Sequence, residues 1–185
     1  MQTQKTNPDP FEEDIGNELC KLDKTPLGKR AEWWTKEVKN AVGRIAEQRG
    51  YPVYASGMGG EWLYDLICLE YEDEYLKSIP LVLESEWDKG GVDADFQKLV
   101  VARADYRVMV MCVSSNENKE EEKLINKLLQ HVEKCRHSTV RDRYLFACWD
   151  EKKREFNCQV YKVVKDRQFH KQRIDNKIYH KRKRQ

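Results

Sequence analysis

The sequence predicts a mixed α/β fold, a β-sheet flanked by helices, and three observations lead there. Apolar residues recur at helical spacing over 29–49 and again over 118–134. Short runs rich in Val, Ile, Leu and aromatic residues lie between and after them, as in 61–69, 81–86, 107–113, 144–149 and 156–163. Read along the chain, the two kinds of segment interleave as α-β-β-β-α-β-α-β-β. That order calls for helices packed on a shared sheet rather than separate all-α and all-β bodies.

Each element has its own warrant. Residues 1–28 hold Pro8, Pro10 and Pro26 among polar side chains and read as an irregular lead-in. In the first helix Trp34, Val38, Ala41, Val42 and Ile45 form one stripe, Gly50 suits the residue after its end, and Pro52 bars continuation. Val53–Ser56 forms a short strand, and Gly57–Gly60 a flexible turn. Glu61–Leu69 reads as a buried strand, Glu70–Glu74 as a loop or brief helix, and Leu81–Glu86 as the partner strand of an antiparallel hairpin with a broad connection. Asp93–Ala104 reads as a helix with Phe96, Leu99 and Val100 inward, followed by the buried strand Arg107–Val113. Asn118–Lys134 is amphipathic through Leu124, Leu128, Leu129 and Val132. Tyr144–Trp149 and Phe156–Val163 form a closing hairpin across the charged turn at Asp150–Arg154.

Composition narrows the class. A chain of 185 residues with 39% apolar content suits one compact domain with short extensions. The body spans 29–164, between the lead-in and a basic tail at 165–185. No apolar run is long enough to cross a bilayer, and the first residues lack the apolar core of a signal peptide, so a soluble, cytoplasmic protein without membrane contact is expected. Six cysteines, at 20, 68, 112, 135, 148 and 158, include no CxxC pair. Cys68, Cys112, Cys148 and Cys158 fall in segments read as strands and are expected to be reduced packing or surface thiols.

The net charge of +2 conceals an uneven layout. Residues 1–28 carry three basic and six acidic side chains, whereas 165–185 carry nine Lys/Arg against two Asp. That basic block, with Lys171, Arg173, Lys177, Lys181, Arg182, Lys183 and Arg184, suits contact with the phosphates of a nucleic acid. It is equally compatible with a solvated end.

The chemistry concentrates at Asp65, Glu84 and Glu86. Strand side chains alternate, so Glu84 and Glu86 project from one face and Ser85 and Trp87 from the other. Isolated buried negative charge costs several kcal/mol, which normally forces protonation or a counter-charge. Asp65 poses the same problem in the neighbouring apolar strand. If the strands pair, the three acids can converge, and a hard cation would relieve their repulsion through oxygen ligands. On the solvated face of an edge strand the same acids would need no cation.

These residues resemble the motif of the PD-(D/E)XK nuclease superfamily, which includes many restriction endonucleases. There a helix precedes a three-stranded meander whose second strand bears the Asp and whose third bears (D/E)-x-K, and a helix and strand follow. Here Tyr64-Asp65 precedes Glu84-Ser85-Glu86-Trp87, then Asp95-Phe96-Gln97-Lys98-Leu99. Tyr64 stands in place of the Pro and Glu86 in place of the Lys; some members carry Glu-x-Glu. The resemblance covers residues 32–113. It implies a restriction endonuclease-like three-layer core with a mixed central β-sheet, and divalent-metal-dependent hydrolysis of phosphodiester bonds in DNA, by two copies where duplexes are cut. By the same resemblance Asp65, Glu84 and the backbone carbonyl of Ser85 would ligate Mg²⁺ (or Mn²⁺). Glu86 would hold a second metal or take the proton of the attacking water. Lys98 could supply the missing ammonium from the following helix, and Glu37 an auxiliary acid from the first. Because Glu86 replaces the Lys, a catalytically inactive module of this fold, binding nucleic acid or a protein partner, is the competing expectation.

Other motifs point to less. Gly57-x-Gly59-Gly60 is too short for a dinucleotide fingerprint. His131, His137, His170 and His180 lack metal-ligand spacing and are expected at the surface. One of Trp33 and Trp34 should be core, the other an edge residue able to stack on a base. Ser114 and Ser115 lack the glycines of a nucleophile elbow.

Overall fold

A computed structural model of the chain describes residues 8–24, 30–55, 63–113, 118–165 and 168–174. The turn expected at Gly57–Gly60, Ser114, Ser115 and His180 lie outside the described residues.

The lead-in is not irregular: residues Pro10–Cys20 form a helix, α1. Pro10 occupies its first turn, where no amide donor is required. Asp9 Oδ1 accepts from Phe11 N at 2.9 Å, and Glu12 Oε2 accepts from Asp9 N at 3.2 Å. This is a capping box, which satisfies amides that the helix itself leaves free. Phe11, Ile15 and Leu19 form its buried stripe. Glu12 is also buried and pairs with Arg143, whose Nε lies 2.9 Å from Glu12 Oε1.

The next helix, α2 (Ala31–Glu47), buries Trp34, Val38, Ala41, Val42 and Ala46 and ends in a turn with Gly50 at φ 80°. A short strand, β1 (Val53–Ala55), leads to β2 (Leu66–Glu72) and β3 (Tyr75–Glu86). The hairpin connection is narrow, not broad. Only Asp73 and Glu74 join the strands, with φ of 50° and 69°, as a two-residue hairpin turn demands. Glu70–Glu72, expected as loop or helix, continues β2. Its charges are met across the ladder by Lys77, 3.2 Å from Glu70 and 3.4 Å from Glu72.

Helix α3 (Val92–Val101) carries the chain to β4 (Tyr106–Val113), and α4 (Asn118–Lys134) carries it to β5 (Arg143–Asp150). Strand β6 (Glu155–Val163) returns antiparallel, and β7 (Phe169–Arg173) pairs with it. Part of the expected tail is therefore the last strand of the sheet.

The seven strands lie in chain order, β3–β4–β5 parallel and the rest antiparallel. Helices cover both faces. Phe11, Ile15, Trp34 and Val38 from α1 and α2 pack on Leu66, Leu81, Leu83, Val108 and Leu145. Phe96 and Leu99 from α3, with Ile125 and Leu128 from α4, pack on Ile67, Val82, Met109 and Phe146. The result is a mixed α/β fold with a central mixed sheet. No helix among the described residues is long and apolar enough to cross a membrane. All six cysteines are free thiols.

Candidate acid centre

The site arises where two neighbouring strands have different lengths. Leu66↔Leu83 is the last paired position of β2 and β3 toward the C-terminal end of β3, while Glu84, Ser85 and Glu86 continue alongside β4 only. A notch opens beyond the start of β2. Asp65 stands at its corner, in a bend before the strand and not within it as expected. Its Oδ2 accepts from Ser85 N at 2.8 Å and so replaces the missing ladder partner. Thr35 of α2 donates to Ser85 O at 3.4 Å, and Trp87 Nε1 donates to Ser85 Oγ at 3.0 Å. Ser85 is thereby fixed at amide, carbonyl and hydroxyl.

Alternation along β3 turns Ser85 and Trp87 toward α2 and turns Glu84 toward α3. Glu84 is 2% exposed. Lys98 Nζ lies 2.9 Å from Glu84 Oε1 and 2.8 Å from Asp95 Oδ1. Burial pushes the Glu84 carboxyl up to about 7; Lys98 opposes this, while Asp65 and Asp95 add to it. Burial also raises Asp65, against the Ser85 amide, Lys39 and Lys98. At Lys98 burial acts downward, but Asp95 and Glu84 outweigh it and the ammonium is held charged.

The three acids do not converge as expected. Glu86 folds back over the turn into α3, where its Oε1 accepts from Asp88 N at 2.7 Å. A Cβ placed on Gly91 would sit 2.2 Å from Glu86 Oε2, so the absence of a side chain there makes room for this conformer. The cause is local: the free amide at the strand's end is two residues away and outcompetes a point shared with two other carboxylates. Among the described residues no three His, Cys, Asp or Glu side chains are grouped to hold a metal. Glu37 lines a depression of ≈ 390 Å³ beside α2 with Lys39 and Asn40.

The remaining expected residues divide. Lys171 on β7 lies 3.9 Å from Glu122 and 5.6 Å from the centre of the Tyr161 ring, and Arg173 is exposed on the same strand. Lys177, Lys181, Arg182, Lys183 and Arg184 lie outside the described residues. Trp34 is buried, with Trp87 stacked on it at 5.1 Å and Trp33 edge-on at 5.3 Å. His131 sits 3.3 Å from Asp93, in an ion-pair cluster with Lys127.

Sequence reasoning gave no role to Asp95, Lys39 or Thr35. Asp95 had a legible signal, since it precedes Lys98 by three residues and shares its side of the helix. Thr35 and Lys39 are also one turn apart, but nothing in the sequence says that this turn faces Ser85 and Asp65.

As a chemical environment, the notch gathers the carboxylates of Asp65, Glu84 and Asp95 around Lys98, with Lys39 near Asp65. Oxygen donors and surplus negative charge suit a hard divalent cation. Mg²⁺ commonly takes one or two carboxylates and completes its shell with water and substrate phosphate; Asp65 and Glu84 have that donor chemistry, with Glu84 Oε1 held by Lys98 and Asp65 Oδ2 by the Ser85 amide.

No protein-family model matches this chain, and no curated protein sequence matches it.

Proposed function

We propose that this protein is a divalent-metal-dependent nuclease that hydrolyses phosphodiester bonds, with DNA as its substrate, on a restriction endonuclease-like core. The observation that carries this reading is the Lys98–Glu84 contact of 2.9 Å beside Asp65. It supplies two carboxylates and an ammonium at one strand end, the residue types of the PD-(D/E)XK motif, although the lysine comes from α3 and not from the strand. The element order α2-β1-β2-β3-α3-β4 supports the same reading, since it repeats the helix, meander, helix and strand of that superfamily.

In this reading Asp65 and Glu84 hold Mg²⁺ or Mn²⁺. When bound, the cation lowers the pKa of water and offsets charge on the phosphate. Lys98 Nζ orients the attacking water or screens a phosphate oxygen, as its place beside Glu84 allows. Glu86, released from the Asp88 amide, accepts the water's proton at its carboxylate. The water oxygen bonds to phosphorus, the bond to the leaving oxygen breaks, and that oxygen takes up a proton. The basic residues of 165–185 add sequence-independent attraction to the strand.

Cleavage of plasmid and single-stranded oligonucleotides in Mg²⁺ or Mn²⁺ tests this reading. Activity should vanish with chelator and in Glu84→Ala and Asp65→Ala. Undiminished cleavage by both variants removes the assignment.

A second reading, a binding module without chemistry on the same fold, is favoured by one observation: Glu86 stands where the motif has Lys and is engaged by Asp88 N at 2.7 Å. It predicts salt-sensitive nucleic-acid binding that survives chelation, with no cleavage under any metal.

A further inference from the structure

Strands β2 and β3 run past their neighbours at the end of the sheet opposite the acid centre. Strand β1 pairs with β2 only over residues 66–68, and β4 pairs with β3 only from Leu81 onward. Leu69 N still donates to Pro52 O at 3.1 Å and Asp105 N to Ile79 O at 3.0 Å. Residues 70–78 are therefore a two-stranded arm, and among the described residues no strand pairs with either of its outer edges. On this arm Tyr75, Leu76 and Tyr71 are 78%, 50% and 45% exposed, and a hydrogen bond to Tyr54 orients Tyr71. Large apolar side chains clustered on an open strand edge mark a contact surface.

The two edges differ in what they can accept. The β2 edge carries Glu70, Tyr71 and Glu72. A second copy laid antiparallel along it about Tyr71 would set Glu70 against Glu72, like charges directly opposed. The β3 edge carries Tyr75, Leu76, Lys77 and Ser78, and its one charge is met within the arm by Glu70 at 3.2 Å and Glu72 at 3.4 Å. Glu72 and Tyr75 flank the two-residue turn and bond to each other across it. The alternation of the ladder then points the amide and carbonyl of Leu76 away from β2, to the open side. Two copies related by a two-fold axis at Leu76 would exchange both of those bonds, whereas an axis at Lys77 would oppose two ammonium groups.

The register centred on Leu76 suits both faces of the arm. Tyr71 stands opposite Leu76 on one face, so the four strands would present an unbroken row of Tyr71, Leu76, Leu76 and Tyr71. On the other face Tyr75 of each copy would lie beside Lys77 of the other, an ammonium against an aromatic ring, while Lys77 keeps its own Glu70. Nucleic acid does not fit this surface, because Glu70, Glu72, Asp73 and Glu74 outnumber Lys77 and repel phosphate.

We propose that the arm is a self-association surface, on which β3 pairs antiparallel with β3 of a second copy about Leu76. The inference rests on the arm and not on the nuclease reading. Leu76 is eight residues from Glu84, about 26 Å of strand, so the two acid centres would stand at opposite ends of the pair. Strands this short bury less than the roughly 1,200–2,000 Å² of a stable complex, so the dissociation constant should be on the order of 10–100 μM.

Sedimentation of the full chain from about 1 μM to 1 mM should show a monomer–dimer equilibrium. Leu76→Glu should weaken it at least about tenfold with an unchanged melting temperature, and Val101→Glu, at an exposed apolar position on α3, should leave it alone. Under mild oxidation Leu76→Cys should give a covalent dimer, since the Cα atoms of a bonded antiparallel pair lie about 5.5 Å apart and a disulfide spans that distance. Wild type should not cross-link, nor should Tyr71→Cys, whose mate would be three strand spacings or about 14 Å away. A chain that stays monomeric overturns the proposal and leaves a strand of another protein as the occupant. Association unchanged by Leu76→Glu, or Leu76→Cys that does not cross-link, overturns it as well. A monomer whose affinity for an oligonucleotide falls in Leu76→Glu makes nucleic acid the occupant and likewise overturns it.

Discussion

The ammonium of Lys98 and the carboxylate of Glu84 meet at 2.9 Å although α3 and β3 place them fourteen residues apart in sequence. The contact depends on the crossover from β3 to β4, which lays α3 back over the strand it has just left. Asp95, one turn earlier on the same helix, holds the other side of the ammonium at 2.8 Å. A cation is therefore built into the anionic notch by the connection itself.

On the nuclease proposal, removal of that cation should be costly to activity. Lys98→Met should lower kcat by about 10²–10⁴, the range for loss of a positioned proton-transfer or charge-screening group. Lys98→Arg should recover part of it. Single-turnover cleavage in Mn²⁺ reads both, and equal rates for Lys98→Met and wild type would separate Lys98 from the chemistry.

Glu84 should make stability depend on pH with a definite sign. Its carboxyl is raised to about 7 in the native state, above its ordinary value, so the folded protein binds this proton more tightly than the unfolded chain. The cost of ionising it is absent below the unfolded value of about 4.3, grows as pH rises, and is complete above the folded value. Glu84→Gln should therefore gain on wild type between those limits, by an amount on the order of 3–4 kcal/mol at pH 8 without metal. Thermal melts from pH 4 to 8 check this. A Glu84→Gln difference that does not vary with pH would contradict the assignment.

Glu86 offers a test of metal recruitment. A Cβ at Gly91 would collide with Glu86 Oε2, and the flexible carboxylate can yield more readily than the backbone. Gly91→Ala should displace Glu86 from the Asp88 amide, with a stability loss of about 1 kcal/mol. If the freed carboxylate joins Asp65 and Glu84, Mn²⁺ should bind several-fold more tightly in calorimetry. Unchanged or weaker Mn²⁺ binding would exclude Glu86 from the centre.

Arg107 should matter for folding and not for cleavage. It is 5% exposed and donates to Leu99 O at 3.1 Å and to Ala102 O at 2.7 Å, closing the C-terminal end of α3. Its guanidinium lies 5.2 Å from the centre of the Tyr144 ring. Arg107→Met should cost about 3 kcal/mol in denaturant unfolding, and Arg107→Lys should not restore it, because an ammonium cannot reach both carbonyls as a planar fork does.

The buried Glu12–Arg143 pair ties α1 to β5. Glu12→Ala should destabilise by about 3–5 kcal/mol by leaving Arg143 uncompensated, whereas Glu12→Leu with Arg143→Met should cost much less. Chemical denaturation of the two proteins compares them. Equal losses would mean that packing and not charge governs the contact.

Periodicity and composition were enough to place most of the frame. Asn118–Lys134 was legible residue for residue because a strong apolar stripe and a charged face leave one helical solution. The antiparallel pairing of β2 with β3 was legible because the two apolar runs demand a shared buried face. The helix Pro10–Cys20 was not, since its prolines were weighed as breakers although Pro10 stands where a helix tolerates it. The extended hairpin through Glu70–Glu72 was hidden by charges that Lys77 and Ser78 across the ladder make acceptable.

By itself, then, the sequence determined most of the helices and strands between residues 29 and 163, and that Glu84 and Glu86 leave β3 on one face, because those facts follow from short-range geometry. Only the tertiary structure decided that β2 begins at Leu66, that Asp65 takes the Ser85 amide, that Lys98 faces Glu84 and that Glu86 turns to Asp88. Register, crossover and rotamer choice are set by packing between distant segments, and one residue's slip in any of them would build a different site from the same side chains.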